Sequence, residues 1–261
     1  MTVALLGSVI GFGLHLVCVR YSPERYRVAA APPTVRETLR ALSGNRPLVI
    51  LCASQLILQT GLFTMVAAQA YYATYVLGDS AALVWIIAAT SVATVVTLPI
   101  LPRLAVRWGK KRTFVGAATS VAVTLAWITV MPPTPVVVVT SFFVLGVAQN
   151  LVSAVMWPFL ADVTDYGEWL SGKRSDGGTV SVFFFFRRVS QASAGGLAGL
   201  GLALGGFVVG GAAQPDSAII AIRWLVGAVP AVLALGGALV FLLYPLDETR
   251  HLAVVRDLGR V

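Results

Sequence analysis

Carboxylates recur at three-residue spacing in one short stretch of the chain, at Asp162, Asp165 and Glu168. Lys173 and Arg174 follow across a glycine-bearing turn. Long apolar runs flank the stretch on both sides, and only 11% of all residues are charged, so this concentration of charge is unusual within the chain. Charges at the boundary between an apolar layer and water are tolerated when they are solvated or paired. The pattern therefore predicts a loop whose ion pairs hold the two flanking segments in one state.

Paired carboxylates can also serve as general acid and base in hydrolysis. No candidate nucleophile accompanies them, and the two histidines and two cysteines of the chain do not form a metal-ligand cluster. Both cysteines, Cys18 and Cys52, fall inside apolar segments, where such residues are typical of small packed side chains rather than of a disulfide. We therefore expect neither enzyme activity nor a metal centre.

The composition excludes a soluble domain. Of the 261 residues, 57% are hydrophobic, and the mean hydropathy is +0.85. Several runs exceed the roughly 20 apolar residues that cross a bilayer core. The net charge of +8 would also suit a nucleic-acid-binding protein, but the basic residues lie in short clusters between apolar runs. We therefore expect an all-α membrane protein whose partner is the lipid bilayer, with no nucleic acid bound.

Seven apolar runs are long enough to be transmembrane helices. They cover residues 1–19, 47–76, 81–101, 113–131, 136–160, 177–208 and 217–244. Sixteen of the nineteen Lys and Arg residues fall in alternate connecting segments and in the tail, and the other three lie within spans. This asymmetry predicts a multi-pass plasma (inner) membrane protein with its N-terminus outside and its C-terminus in the cytoplasm. Pro158 and Pro230 predict kinks in the fifth and seventh spans.

The connecting segment 20–46 is basic and contains Pro32 and Pro33. Thr34 and Glu37 have the spacing of a capping box, which predicts the start of a short amphipathic helix near 35–43 on the cytoplasmic face. After residue 246 the sequence becomes polar and ends in a short basic tail, 247–261.

Two pairs of polar or aromatic residues could bind a polyhydroxylated ligand. Gln69 and Tyr72 are three residues apart on one helix face, although such residues also serve as packing partners or interfacial anchors. Asn150 and Trp157 are seven residues apart on one face of the fifth span. The indole could stack on the C–H face of a sugar ring, or it could be a residue of the interfacial aromatic belt.

Arg188 lies deep within the sixth apolar run. If this helix begins near residue 178, Arg188 is about ten residues, or roughly 15 Å, inside it. A charge at that depth is expensive in lipid and indicates a functional site. Gln191 and Phe184 share its helix face, whereas Arg187 points elsewhere. Arg188 and Gln191 therefore mark a candidate functional site in this span.

The charged stretch carries a family resemblance. Residues 161–169 read ADVTDYGEW, and residues 172–177 read GKRSDG. This closely resembles the loop between the tenth and eleventh transmembrane helices of the glycoside-pentoside-hexuronide:cation symporters, the melibiose-carrier-like branch of the major facilitator superfamily. The resemblance implies that residues 1–19 correspond to the sixth helix of that fold, 20–46 to its middle loop and 47–246 to its C-terminal six-helix half.

The resemblance also implies a function, which is transport of a sugar or glycoside by alternating access. Arg188 matches a cationic residue, usually lysine, that faces the central cavity of the family, which implies that Arg188 and Gln191 on the same helix face contribute to substrate binding. The charged stretch matches a conformational latch at the cytoplasmic gate. No cofactor is implied beyond a coupling cation, Na⁺ or H⁺. In the family, the cation-binding acids and most sugar-binding residues lie on an N-terminal half that this sequence does not contain.

Because only about half of the family's fold is covered, we expect this chain to need a separate N-terminal half for a complete transport path. It could be part of a longer product, one part of a split transporter or a decayed copy. The alternative from a different class is a non-transporting membrane fragment or assembly protein.

Overall fold

The computed structural model describes residues 2–21, 44–211 and 213–259. The predicted middle loop, with its capping box and its helix near 35–43, lies outside the described residues apart from its ends, as do the last two residues of the tail. The chain divides into two units, Met1–Glu37 and Thr38–Val261. Helix α1 (Thr2–Tyr21) belongs to the first unit, and its residues 7–18 are exposed within it.

The second unit is helical over its described residues, and no strand is found in the part of the chain that the structure describes, which confirms the predicted all-α class. Its helices are α2 (Arg46–Tyr71, continued by a π-helical turn, Tyr72–Val76), α3 (Ala82–Thr97), α4 (Leu101–Trp108), α5 (Lys110–Val130), α6 (Pro135–Ser171), α7 (Asp176–Leu204), α8 (Asp216–Val226), α9 (Ala228–Leu242) and α10 (Glu248–Asp257).

Among the described residues, four helical segments are long and apolar enough to cross a membrane. They are Arg46–Val76, Lys110–Val130, Pro135–Ser171 and Asp216–Leu242. The other three predicted spans also form helices, namely α1, α3 and α7. The structure thus supports a multi-pass membrane protein, and the number of seven spans stays a prediction.

Helix α2 lies at the centre of the second unit, where it packs against α9 on one side and α7 on the other. Helix α5 packs against α9 and α6, and α3 packs against α6. Small residues bring these helices close together. A Cβ on Gly237 of α9 would lie only 2.9 Å from the carbonyl oxygen of Ser54 on α2. The Ser54 hydroxyl donates a 2.8 Å hydrogen bond to the Gly237 carbonyl across this contact.

Helix α6 differs most from the sequence prediction. The predicted span ended at residue 160 and was followed by a charged loop, but the helix continues through that stretch to Ser171. Its 37 residues span roughly 55 Å, well beyond a bilayer core of about 30 Å. Gly172, with a φ of +66°, ends the helix in the left-handed conformation that favours glycine. The loop is therefore only residues 172–175, because the end of the apolar run is not the end of the helix.

The seventh predicted span is also broken differently. It is interrupted at Gly227, between α8 and α9, rather than kinked at Pro230. A Cβ on Gly227 would lie 2.0 Å from the Thr129 hydroxyl and 3.0 Å from the Leu125 carbonyl of α5, so only glycine fits against that helix. Pro230 lies in the first turn of α9, where its missing N–H leaves no hydrogen bond unmade.

Aromatic side chains fill the core at one end of the second unit, which we call the charged end because α6 finishes there with its acidic residues. Phe159 lies edge-on to Phe241 at 4.9 Å and to Tyr244 at 5.1 Å between ring centroids. The rings of Phe241 and Tyr244 stack at 4.8 Å. This cluster supports the last turns of α6, where the candidate site begins.

Candidate functional site: a charged cluster and an exposed polar face

The end of α6 presents its carboxylates to cations from two other segments. Asp162, 5% exposed, forms an ion pair with Lys110 at the start of α5. The Arg174 guanidinium lies 2.8 Å from Asp165 and 3.0 Å from Glu168. We call these five residues, together with His251, the charged cluster. The predicted ion-pair network is therefore present, but it is built on a helix rather than in a loop.

Arg174 connects α6 to the start of α7. Its Nη1 contacts Asp165 and Glu168, while its Nε donates a 2.7 Å hydrogen bond to Asp176 in the first turn of α7. The hydrogen bonds that Arg174 donates to Asp165 and Asp176 raise the pKa of its guanidinium above the usual value. Lys173, which the sequence predicted as a second partner, is exposed and forms no ion pair with any described residue. One arginine therefore joins the two helices.

The cluster reaches the C-terminal tail as well. The tail contains α10, whose His251 lies 3.4 Å from Asp162 and 3.4 Å from Asp165. The indole N–H of Trp169 donates a 3.2 Å hydrogen bond to Asp257 further along α10. Sequence analysis missed both contacts, because nothing in a short polar tail indicates which helix it meets.

Asn45, just before α2, connects that helix to the part of α6 that carries the charged cluster. Its side-chain oxygen accepts a hydrogen bond from the Leu48 N–H and so caps the helix, and its amide nitrogen donates a 2.8 Å bond to the Val163 carbonyl of α6. A Cβ on Gly167 would lie 3.0 Å from that nitrogen. The glycine within the DYGE sequence therefore leaves room for the asparagine.

Lys111 holds the end of α9 in place. Its ammonium group donates hydrogen bonds of 2.9 Å to the Leu242 carbonyl and 2.7 Å to the Tyr244 carbonyl. A cation at a helix C-terminus is favourable because the last carbonyls have no intrahelical donor. Burial, with a smaller contribution from Asp162, raises the pKa of Tyr244, whose hydroxyl is buried without a hydrogen-bond partner among the described residues.

A cavity of about 300 Å³ opens between the first turn of α5 and the start of α10. The lining includes three cationic residues from the first turn of α5 and two acidic residues from the start of α10. They are Lys110, Lys111 and Arg112, and Asp247 and Glu248. The lining therefore carries both signs of charge and favours neither an anion nor a cation.

Of the predicted substrate residues of α6 and α7, Trp157 and Arg188 are exposed, and Asn150 and Gln191 are half-buried. The Trp157 ring, 62% exposed, contacts that of Phe184 at 6.3 Å between centroids. One turn along α7 from Phe184, the exposed Arg188 donates a 2.9 Å hydrogen bond to the Gln191 side chain. Arg188 forms no ion pair with any residue that the structure describes. We call Asn150, Trp157, Phe184, Arg188 and Gln191 the polar face.

The remaining predicted substrate residues have different surroundings. The Asn150 amide donates a 3.0 Å hydrogen bond to the Thr94 hydroxyl, which adds α3 to the polar face. Gln69 is half-buried, and Tyr72 is only 1% exposed, with a hydroxyl that lacks a partner among the described residues. The structure thus exposes Trp157 and Arg188, leaves Asn150, Gln191 and Gln69 half-buried, and places Tyr72 inside the bundle.

Residues 1–248 match the protein family described as MFS/sugar transport protein. The chain belongs to this family. The match covers nearly the whole chain and confirms the predicted resemblance at the level of the family. Since the MFS/sugar transport family comprises transporters, the expectation that the chain is not an enzyme is also confirmed.

Relatives of this family member include carriers from several bacteria. The glucuronide carrier protein homolog of Escherichia coli (strain K12) is 29% identical over 96% of the chain and 55% of its own length. The uncharacterized symporter YjmB of Bacillus subtilis (strain 168) is 33% identical over 97% of the chain and 56% of its own length. The putative sulfoquinovose importer of Salmonella typhimurium is 28% identical over 98% of the chain and 55% of its own length. The chain thus spans about half the length of these relatives.

Proposed function

We propose that this chain is one half of a transporter that moves a sugar or glycoside by alternating access, coupled to Na⁺ or H⁺. The observation that carries the proposal is the polar face. Arg187 and Arg188 are both exposed within the long apolar part of α7, and a charge in such a segment is costly against lipid. The face therefore requires water or a second protein surface opposite it, as a central transport cavity between two halves provides.

The chemistry of the polar face suits a sugar. Trp157 supplies an exposed aromatic surface, and the Phe184 ring lies beside the indole at 6.3 Å between centroids. Arg188 offers hydrogen-bond donors, while Asn150 and Gln191 offer both donors and acceptors for hydroxyl groups. Gln69 is retained as a further candidate. Tyr72 is expected to act on the site only from within the bundle, because its side chain is buried.

The names of the relatives favour the same substrate class. One is named as a glucuronide carrier homolog and another as a sulfoquinovose importer, and both substrates are sugar derivatives. We propose a sugar or glycoside here as well. The coupling cation is proposed to bind mainly on an N-terminal half, in line with the family resemblance.

The charged cluster is proposed to act as the cytoplasmic gate. It ties the end of α6 to the first turns of α5, α7 and α10 through ion pairs that a conformational change can exchange. With this end in the cytoplasm, the C-terminal tail is proposed to lie inside, and the distribution of basic residues along the sequence favours an N-terminus outside. The membrane is proposed to be the plasma (inner) membrane.

Uptake measurements test the proposal. Cells that produce the native product are assayed for uptake of labelled glycosides, pentosides and hexuronides with and without Na⁺, and at different proton gradients. Arg188→Ala is expected to lower uptake at least tenfold. Arg187→Ala is the matched control, since it removes an adjacent exposed charge that points away from the polar face, and it is expected to retain uptake.

A non-transporting membrane fragment or assembly protein is the second candidate, favoured by the observation that the chain spans about half the length of its relatives. This candidate predicts stable expression without uptake of any sugar, and no ligand-induced change even when an N-terminal half is produced in the same cells. Sugar-dependent uptake that fails in Arg188→Ala would exclude it.

A further inference from the structure

The C-terminal helix α10 packs on the end of α6 with matched helical spacing. Asp162, Asp165 and Trp169 lie on one face of α6, and His251 and Asp257 lie on the facing side of α10. Val254, between the two α10 residues, is 6% exposed. The side chain of Asp247 caps α10 by accepting a hydrogen bond from the Arg250 N–H at 2.8 Å. The start, middle and end of the helix are therefore each fixed.

His251 lies between the two carboxylates. Its Nε2 is 3.4 Å from Asp162 Oδ1 and 3.4 Å from Asp165 Oδ2, and its side chain is 18% exposed. Nε2 can donate at most one proton, so a neutral ring satisfies one carboxylate at a time. A protonated ring adds a positive charge that attracts both carboxylates.

Each of these carboxylates has a further cation from a different segment. Lys110 of α5 pairs with Asp162, and Arg174 of the loop after α6 pairs with Asp165 and with Glu168. Among the described residues, the charged groups of this network on α5, α6 and the loop thus include Lys110, Asp162, Asp165, Glu168 and Arg174. His251 thus connects the Lys110–Asp162 ion pair to the Arg174–Asp165 ion pair.

We infer that His251 is a positioning residue of the proposed cytoplasmic gate, holding Asp162 and Asp165 on their cations, and that α10 must leave α6 before these carboxylates change partners. This inference rests on the proposed function. Histidine gains its charge between pH 5 and pH 8, and the charged ring binds two carboxylates more tightly than the neutral ring does. Docking of α10 is therefore expected to weaken when the ring loses its proton.

Hydrogen exchange tests the docking without requiring transport. Protection of the backbone amides of α10 is measured on the purified native product between pH 5.5 and 8.5, after correction for the intrinsic pH dependence of exchange. Protection is expected to fall about fivefold across this range, the scale of one partly exposed ion pair. His251→Gln, which keeps a polar side chain but cannot ionise, is expected to abolish the pH dependence.

The matched control is His15→Gln, which removes the other histidine of the chain, on α1. It is expected to keep the wild-type pH dependence. Protection that varies with pH equally in His251→Gln and in the wild type would overturn the inference, and so would protection in the wild type that does not vary with pH.

The pH profile of uptake tests the gating role itself. His251→Gln is expected to shift the profile while keeping a measurable maximal rate. Uptake by His251→Gln with an unchanged profile overturns the positioning role even though sugar transport is then confirmed. Absence of uptake in every form of the protein overturns the proposed function, and the exchange experiment still decides whether His251 docks the helix.

Discussion

The side chain of Asn45 packs directly against Gly167. Its amide nitrogen lies only 3.0 Å from the position that a Cβ on residue 167 would occupy. The same nitrogen donates to the Val163 carbonyl one turn earlier in α6. A glycine within a helix is usually destabilising relative to alanine. Gly167 is explained by the space it leaves for the Asn45 side chain. The hydrogen bond from Asn45 to Val163 then connects the start of α2 to the charged end.

Removal of the Asn45 side chain is expected to destabilise the protein. Asn45→Ala loses both the cap of α2 and the bond to Val163, and should lower the free energy of unfolding by about 1–2 kcal/mol, measured by chemical denaturation in detergent. Asn45→Asp is the matched variant, since a carboxylate still caps α2 but cannot donate to Val163. An Asp variant as stable as the wild type would show that the bond to α6 contributes nothing.

A methyl group at the contact of α2 and α9 is expected to disturb both helices. A Cβ on Gly237 would lie 2.8 Å from the Leu58 Cβ and 2.9 Å from a backbone oxygen, so the helices must move apart. Gly237→Ala should lower the free energy of unfolding by about 1–3 kcal/mol.

Gly236→Ala provides the control for this contact. Its Cβ would meet Ile57 at an ordinary van der Waals distance of 3.5 Å, so helix propensity should leave the protein as stable as before or slightly more stable. Equal destabilisation by the two substitutions would contradict the packing described here.

Because Tyr244 is buried, we expect the folded protein to lose stability at alkaline pH. Burial raises its pKa in the folded protein, whereas an unfolded tyrosine ionises near pH 10. The folded state therefore keeps the proton that the unfolded state loses, and stability falls as the pH rises above 10, by up to about 1.4 kcal/mol at pH 11. Below pH 10 this contribution is constant.

Tyr244→Phe should remove this part of the alkaline loss, measured as the difference in unfolding free energy between pH 8 and pH 11. At pH 8 the substitution should cost little, because the buried hydroxyl has no hydrogen-bond partner among the described residues. An alkaline loss of the same size in both proteins would show that Tyr244 ionises freely in the folded state.

Local patterns in the sequence predicted most of the helices and the composition of the site. The apolar runs gave the approximate bounds of the helices, and the spacing of Arg188 and Gln191 placed both on one helix face, where they form a hydrogen bond. The acidic residues were expected in a loop because an apolar run ends before them. Their ion pairs instead allow a charged segment to remain helical beyond the apolar layer.

Contacts between residues that are far apart in the sequence could not be predicted from local patterns. Lys110 pairs with Asp162, 52 residues away, although Lys173 is much closer in sequence. His251 reaches the same carboxylate from a tail that has no apolar run, and Tyr72 is buried although its spacing from Gln69 suited an exposed site. Each of these depends on how the helices pack, which periodicity within one helix does not determine.

The central claim is that the polar face lines a sugar-binding cavity, and protection of a cysteine on that face tests it most directly. Ser153 is exposed on α6 between Asn150 and Trp157. In the native product, with Cys18 and Cys52 replaced by serine, the rate of thiol modification of Ser153→Cys is measured with and without a panel of glycosides, pentosides and hexuronides. Ser193→Cys, exposed on α7 away from Arg188, is the control. At least one sugar is expected to slow modification at residue 153 and not at residue 193. Rates at residue 153 that no sugar changes would contradict the claim.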